Sequence, residues 1–405
     1  MTTKLQQPRA VRALNAAGGV VRRFGLSVSL DEHSLLAAAR KKTGLSDFGA
    51  DTFRPGLSAL LSSLQTQADL TPIGRLGTRS RLVGLLELRL LLVEHRRAHP
   101  EVADEVIDRP LFVLGLPRTG TTVLYGMLAA NPAMRAPSSW EVARPCPPPT
   151  GPDPVRVAAA EKDLAMFRRL APGIDHIHPM GSQLPQECLA LQAPEFASYE
   201  FPTTFTVPSY WDWLRTADLR PAYAFEKQFL QHLQSGRRGD HWILKTPAHL
   251  MWLDALLEVF PDALLVQTHR DPAAVLASVS SLMTTIRGAM SDTVDAFAVG
   301  REQLEAWTWG MARTMAVRDQ LPPGRVVDVH YDDTVHDPVG TTSRIYDHFG
   351  LEFTPAVEAG VRGYLADNPR DKHGAHSYTL AEFGLDPDEV DAAFATYRER
   401  FGVGI

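Results

Sequence analysis

The sequence predicts an α/β fold in which helices flank a doubly wound, mainly parallel sheet, with a helical extension at the N-terminus. Three observations predict it. Short apolar runs of strand length recur at "LFVLG" (111–115), "WILK" (242–245), "ALLVQTH" (263–269) and "RVVDVHY" (325–331). Helical segments separate them, among them "PAAVLASVSSLM" and the long 292–319 stretch, so strands and helices alternate as in βαβ units. The first strand passes through a glycine-containing turn into the helical run "TTVLYGMLAAN", which ends before Pro132.

Residues 1–105 read as the N-terminal helical region and 106–405 as the α/β domain. Ser29-Leu-Asp-Glu32 has the spacing of a capping box ahead of "HSLLAAARKK", and Gly44 supplies the stop. The run "RPGLSALLSSLQTQ" follows. A third helix is predicted from about Ile73 to Arg97, where apolar residues recur at three- and four-residue spacing. The proline-rich "PCPPPTGPDP" (145–154) cannot form regular structure.

The chain has 405 residues, 44% hydrophobic and 22% charged, ordinary values for a folded globular protein. A net charge of −6 leaves no global field for nucleic acid, so an anion site must be built locally. Only Cys146 and Cys188 are present, which points to reduced thiols and a cytoplasmic setting rather than a disulfide framework. The most apolar stretch, Leu82–Val93, is interrupted by Glu87 and Arg89 and is too short to span a bilayer. Arg9, Arg12, Arg22 and Arg23 offer peripheral membrane contact, against the commoner reading of a solvated helix face. The first hundred residues also offer a cover for an acceptor pocket or an oligomer interface.

The turn after the first strand is P-loop-like but lacks a part. The nucleotide-triphosphate pattern G-x-x-x-x-G-K-[ST] needs lysine after its second glycine; here Gly115-Leu-Pro-Arg-Thr-Gly120-Thr121-Thr122 has none, and Arg118 stands two residues before that glycine. Backbone N–H groups of the turn, at the positive end of a helix, cradle an anion without any side chain. Thr119, Thr121 and Thr122 add hydroxyls, and Arg118 a permanent planar cation. The plainer reading is a glycine turn that packs a helix on a strand. A second segment narrows the choice: "VQTHRDPAAVLASVSSL" ends a strand at His269, places Arg270 next, and starts a helix at Asp271-Pro272 with Ser278 two turns in.

With both segments in view, the chain resembles the PAPS-dependent sulfotransferases, and most closely their bacterial, actinobacterial-type branch. The family's 5′-phosphosulfate loop, P-[KR]-[ST]-G-T-T, is matched by Pro117-Arg118-Thr119-Gly120-Thr121-Thr122. Its 3′-phosphate segment is matched by Arg270 and Ser278, and its tyrosine-acidic segment near the adenine by "VHYDD", which implies a place there for Tyr331. "NPRDKHG" (368–374) is similar to the C-terminal segment that closes over the 3′-phosphate, implying roles for Lys372, His373 and Gly374. "SSWEVARP", "HPMGSQLPQECLAL" and "ILKTPAHL" also have the branch's look, and the likeness covers roughly residues 109–380. It implies 3′-phosphoadenosine 5′-phosphosulfate (PAPS) as co-substrate, with no metal. A sulfate on an adenylate carries less charge than a triphosphate, so one cation and a ring of donors suffice.

Transfer to a hydroxyl needs a base opposite the loop. The resemblance implies Glu187 in "LPQECLALQAP", where the apolar surroundings predict a raised pKa; the plainer reading is a helix N-terminal carboxylate. His249, in "LKTPAHL", competes, though it stands two residues beyond the position of the histidine in cytosolic sulfotransferases. His178 in "HIHPMG" is a third candidate, and a substrate-assisted route a fourth. Lys245 is expected at the bridging oxygen or the sulfate, against a structural salt bridge. Glu141 reads as a substrate-pocket or loop-positioning residue, while Tyr210, Trp211 and Trp213 read as core rather than pocket wall. Histidines are scattered without metal-ligand spacing, and no G-x-S-x-G elbow is present. A P-loop kinase or NTPase, or a non-catalytic nucleotide-binding module, is the alternative. The expected acceptor is a small lipid, steroid, quinone-like or polyketide hydroxyl.

Overall fold

Every residue of "LFVLG" is buried, and so is every residue of the two strands beside it, as parallel strands covered on both faces require. The computed structural model describes Asn15, residues 28–369 and residues 378–404. Strands β1 (Leu111–Gly115), β2 (Ile243–Lys245), β3 (Leu264–His269) and β4 (Val326–His330) form one four-stranded sheet in the order β2-β1-β3-β4. All pairings are parallel; Val113 lies opposite Lys245 on one side and Val266 on the other, and Gly115 opposite Thr268. Each apolar run of the sequence supplied one strand.

Side-chain alternation along β1 divides the core. Leu111 and Val113 pack with Leu124, Leu128, Ile345 and Phe349 on one face. Phe112 and Leu114 face the larger cluster, which continues to Leu57, Leu64, Leu82 and Leu86 of the N-terminal helices. The apolar core therefore runs across residue 105 without a break. Arg89, 3% exposed and paired with Glu195, fastens the helix Pro72–Ala98 to the rest of the chain. Tyr210 is fully buried and its hydroxyl donates to Phe196 O at 2.8 Å, while Trp211 meets Trp252 and Trp309 edge to face. These aromatics are core.

One cap differs from the sequence expectation. The helix Glu32–Thr43 is capped by Asp31, whose side chain accepts from Ser34 N at 3.0 Å. Ser29 instead accepts from Asp31 N at 3.2 Å. The charged acceptor directly before the first turn takes the N-cap, and Glu32 becomes the first helical residue. Gly44 ends the helix in the left-handed region at φ 72°, as the sequence indicates. No helix among the described residues is long and apolar enough to cross a membrane.

The topology fixes where a ligand sits. The chain steps from β1 to β2 on one side, then to β3 on the other, and on outward to β4. The strand order thus reverses between β1 and β3, and the crevice at their carboxyl ends is the binding position of open α/β sheets. Both segments singled out in the sequence as candidate anion sites leave the sheet there.

Candidate active site

The loop after β1 is shaped by positions that tolerate few residues. Gly115 has φ 146°, and a Cβ there would lie 2.2 Å from Thr268 Oγ1. Gly120, at φ 85°, caps the helix Thr121–Ala129 without any side-chain bond. The N–H groups of the first turn are therefore available to an anion. Thr119 is turned inward: its fully buried hydroxyl bonds Leu116 O and Thr268 Oγ1, both at 2.6 Å. It fastens the loop to β3, so of the three threonines only Thr122 is exposed and Thr121 is buried.

Arg118, itself at φ 65°, gathers the second segment around the loop. Its Nε donates to Ser278 Oγ at 3.1 Å and its Nη1 to Ile177 O at 2.7 Å. Its carbonyl accepts from Arg270 Nη1 at 2.8 Å. The Arg270 guanidinium lies 4.0 Å from the centre of the Tyr331 ring, and Tyr331 also flanks Gly120. Arg118, Arg270, Ser278 and Tyr331, the first and last 213 residues apart in sequence, thus meet at the switch point.

On the other flank, β2 delivers Lys245. Its ammonium, on a side chain 2% exposed, lies 2.5 Å from Glu187 Oε1 and 3.3 Å from Thr122 Oγ1. Glu187 Oε2 accepts from Thr246 Oγ1 at 3.1 Å. Glu187 occupies the N-cap position of the short helix Cys188–Gln192 but makes no capping bond, because its carboxylate points at β2 instead. The expected rise in its pKa is corrected here. Burial does push the pKa up and is the largest single influence, but the Lys245 charge, His178 and the bonds from Lys245 and Thr246 together hold it below the usual carboxylate value.

The backbone behind Glu187 is braced by Glu141. Its carboxylate closes a capping box with Ser138 and pairs with Arg135 at 2.9 Å, a pair buried in the interior. The adjoining segment then bonds the approach to Glu187: Ser139 N to Leu184 O at 3.0 Å, Trp140 N to Ser182 O at 2.8 Å and Gln186 N to Pro137 O at 2.7 Å.

The two histidines part company. His178 is half-buried within the field of Glu187, Lys245 and Arg118, and burial above all lowers its pKa. His249 is fully buried, edge-on to Phe112 at 5.1 Å, with Nδ1 3.0 Å from Tyr223 Oη. Burial pulls its pKa down to about 3, so its imidazole is neutral. It shares the interior with Cys188 and Glu226, the one trio of metal-ligand-type side chains found among the described residues. Burial also raises that carboxyl to about 7 and the thiol well above its ordinary value.

Asp328, the acid a nucleotide triphosphatase would need for its metal, is engaged by Arg318 and His269 at 2.7 Å each. Lys372, His373 and Gly374 lie outside the described residues. The sequence reading did not find Ile177 O, Thr246 or the 137–140 brace. Thr246 was signalled by its place beside Lys245 in "LKTP"; a backbone carbonyl and a backbone brace leave no residue signal.

Comparison with known proteins identifies the family of the chain. The model described as "Sulfotransferase family" matches residues 110–355. The omega-hydroxy-beta-dihydromenaquinone-9 sulfotransferase Stf3 of Mycobacterium tuberculosis is 26% identical over 323 residues, 74% of this chain and 77% of that protein. Among solved structures, sulfotransferase STF9 from Mycobacterium avium superposes with a TM-score of 0.85 at 30% identity, covering 94% of this chain and 99% of its own. Sulfotransferase STF1 from Mycobacterium tuberculosis gives 0.81 at 34% identity, covering 90% and 98%.

Proposed function

Since the chain belongs to the sulfotransferase family and is an enzyme of that type, we propose that its donor is PAPS and its acceptor the hydroxyl of a small, apolar molecule. One observation carries the proposal: Lys245 bridges Thr122, at the mouth of the anion loop, and Glu187, the carboxylate opposite it. The donor's sulfate lies on the loop N–H groups and Arg118, and its 3′-phosphate between Arg270 and Ser278. The acceptor hydroxyl gives its proton to Glu187 as its oxygen bonds to sulfur. The bond from sulfur to the bridging oxygen breaks in line, and that oxygen keeps the electron pair, leaving adenosine 3′,5′-bisphosphate. Lys245 and Thr122 meet the charge that grows there. Because Glu187 is held below the ordinary carboxylate range, it is ionised and ready to accept a proton throughout neutral pH.

Apolar side chains flank both reacting groups. Val123 follows Thr122 and is 43% exposed, and Leu184, three residues before Glu187, is 38% exposed. That surface suits a quinone-like or other lipid alcohol, the chemistry named for Stf3. We place the reaction in the cytoplasm, which suits the two free thiols, with the N-terminal helices covering the acceptor side.

The donor assignment is tested by replacing Arg270 with alanine and titrating adenosine 3′,5′-bisphosphate and adenosine 5′-phosphate in turn. The expected result is a roughly 30- to 100-fold loss for the bisphosphate, as for a charge-assisted phosphate contact, with the monophosphate changed less than about threefold. Equal losses for both nucleotides would contradict the placing of the 3′-phosphate.

A further inference from the structure

The arginine read as a 3′-phosphate ligand is held from behind by the end of the chain. β3 finishes at His269; Arg270 follows, and Asp271 caps the helix Pro272–Gly288 that carries Ser278. Two short helices, Pro387–Ala393 and Ala395–Phe401, bury Val390, Phe394 and Tyr397 in the same core. Tyr397 is 1% exposed, and its Oη lies 3.2 Å from His269 Nδ1, 3.4 Å from Arg270 N and 3.5 Å from Arg270 O.

The far side of the His269 ring decides the direction of these bonds. His269 Nε2 is 2.7 Å from Asp328 Oδ1, and Arg318 grips both oxygens of that carboxylate at 2.7 Å. An ionised carboxylate only accepts, so the imidazole carries its proton on Nε2 and its Nδ1 is an acceptor. The Tyr397 hydroxyl then donates to Nδ1 and turns a lone pair to the Arg270 N–H. One polar chain thus runs from Arg318 through Asp328, His269 and Tyr397 to the backbone of Arg270. Beside it, Arg398 Nη2 bonds Asp271 Oδ1 at 2.7 Å, the oxygen that also caps Ala273 N. Phe401 stacks on the His269 ring at 4.3 Å.

Tyr397, Arg398 and Phe401 lie beyond position 355, where the family match ends. We propose that Tyr397 and Arg398 are positioning residues for the nucleotide: they fix the turn from which Arg270 and Ser278 project, so that the 3′-phosphate meets a preformed grip. Neither touches the donor. The inference rests on the donor reading above, and it makes the C-terminal helix a working part of the nucleotide site.

The test uses the full chain with Tyr397→Phe and, separately, Arg398→Gln and Arg398→Lys. Affinities for adenosine 3′,5′-bisphosphate and adenosine 5′-phosphate are measured beside thermal melting. The expected result is a ~5- to 20-fold loss for the bisphosphate with the monophosphate within about twofold, so that discrimination collapses, and partial recovery in Arg398→Lys. Arg398 is less buried than Tyr397, its side chain 16% exposed, so its variants report even where Tyr397→Phe melts early. Unchanged discrimination despite a lower melting temperature would overturn the proposal and leave the C-terminal helices a purely structural role. A wild-type protein that does not discriminate at all would overturn the donor reading, and this inference with it.

Discussion

Changing Glu187 to glutamine is expected to slow single-turnover sulfuryl transfer by about 10²- to 10⁴-fold, the range for removing a general base. Bisphosphate affinity should change by less than about threefold, because the amide keeps the shape of the side chain and its oxygen still accepts from Lys245. The measurement is rapid-quench transfer of radiolabelled sulfate, beside calorimetry. A large rate loss at constant affinity locates the defect in the proton transfer. A rate within about tenfold of wild type would move the base elsewhere, and His178→Asn would then be the decisive variant, since that ring shares the field of Glu187, Lys245 and Arg118.

Changing Lys245 to methionine is expected to cost about 10²- to 10³-fold in the transfer rate at neutral pH, as for the loss of one donor to a developing oxyanion. It should also displace the pH profile. In the wild type, Glu187 is held below its ordinary range, so the acidic limb falls below the usual carboxylate pKa of about 4.3. Without Lys245, burial is opposed only by the weaker partners, and the acidic limb moves up. Stability follows the same sign: a depressed carboxylate stabilises the fold above its unfolded pKa, and that contribution is lost as pH falls through the folded value. The melting temperature of Lys245→Met should therefore respond less to acid than that of wild type. Combining it with Glu187→Gln removes both buried charges, so the double variant should melt higher than Lys245→Met while remaining inactive. An acidic limb that stays in place would show that Lys245 does not set the state of Glu187.

The physics of the fold explains which parts were legible in the chain. Parallel strands buried on both faces are continuous apolar runs, so "LFVLG" and "ALLVQTH" announced themselves. The missing Walker lysine was equally visible, because a loop's cation is a residue identity. The neighbourhood of Arg118 was less so. Its bonds to Ser278 Oγ and Ile177 O depend on a left-handed backbone at φ 65° that no side-chain pattern encodes. The sign of the Glu187 shift is hidden from the sequence for a similar reason. The apolar letters around it speak of desolvation, whereas Lys245, 58 residues away in sequence, arrives only once β2 lies beside β1. His249 looked competitive in the string "LKTPAHL", yet the 3₁₀ turn Pro247–Leu250 carries its ring into the core against Phe112 and Tyr223. Tyr397 and Arg398 gave no signal at all, since they meet residues more than a hundred positions earlier, the backbone of Arg270 and the side chain of Asp271.

The central claim is that the loop with the displaced arginine holds the bisphosphate of a sulfate donor rather than a triphosphate. The measurement that tests it most directly is calorimetric titration of the wild-type protein with adenosine 3′,5′-bisphosphate, without added divalent metal, beside Mg²⁺–ATP. The account predicts saturable binding of the bisphosphate at least about a hundredfold tighter than that of Mg²⁺–ATP, about 2.7 kcal/mol of discrimination. Tighter binding of Mg²⁺–ATP would contradict it and return the site to the kinase or NTPase reading.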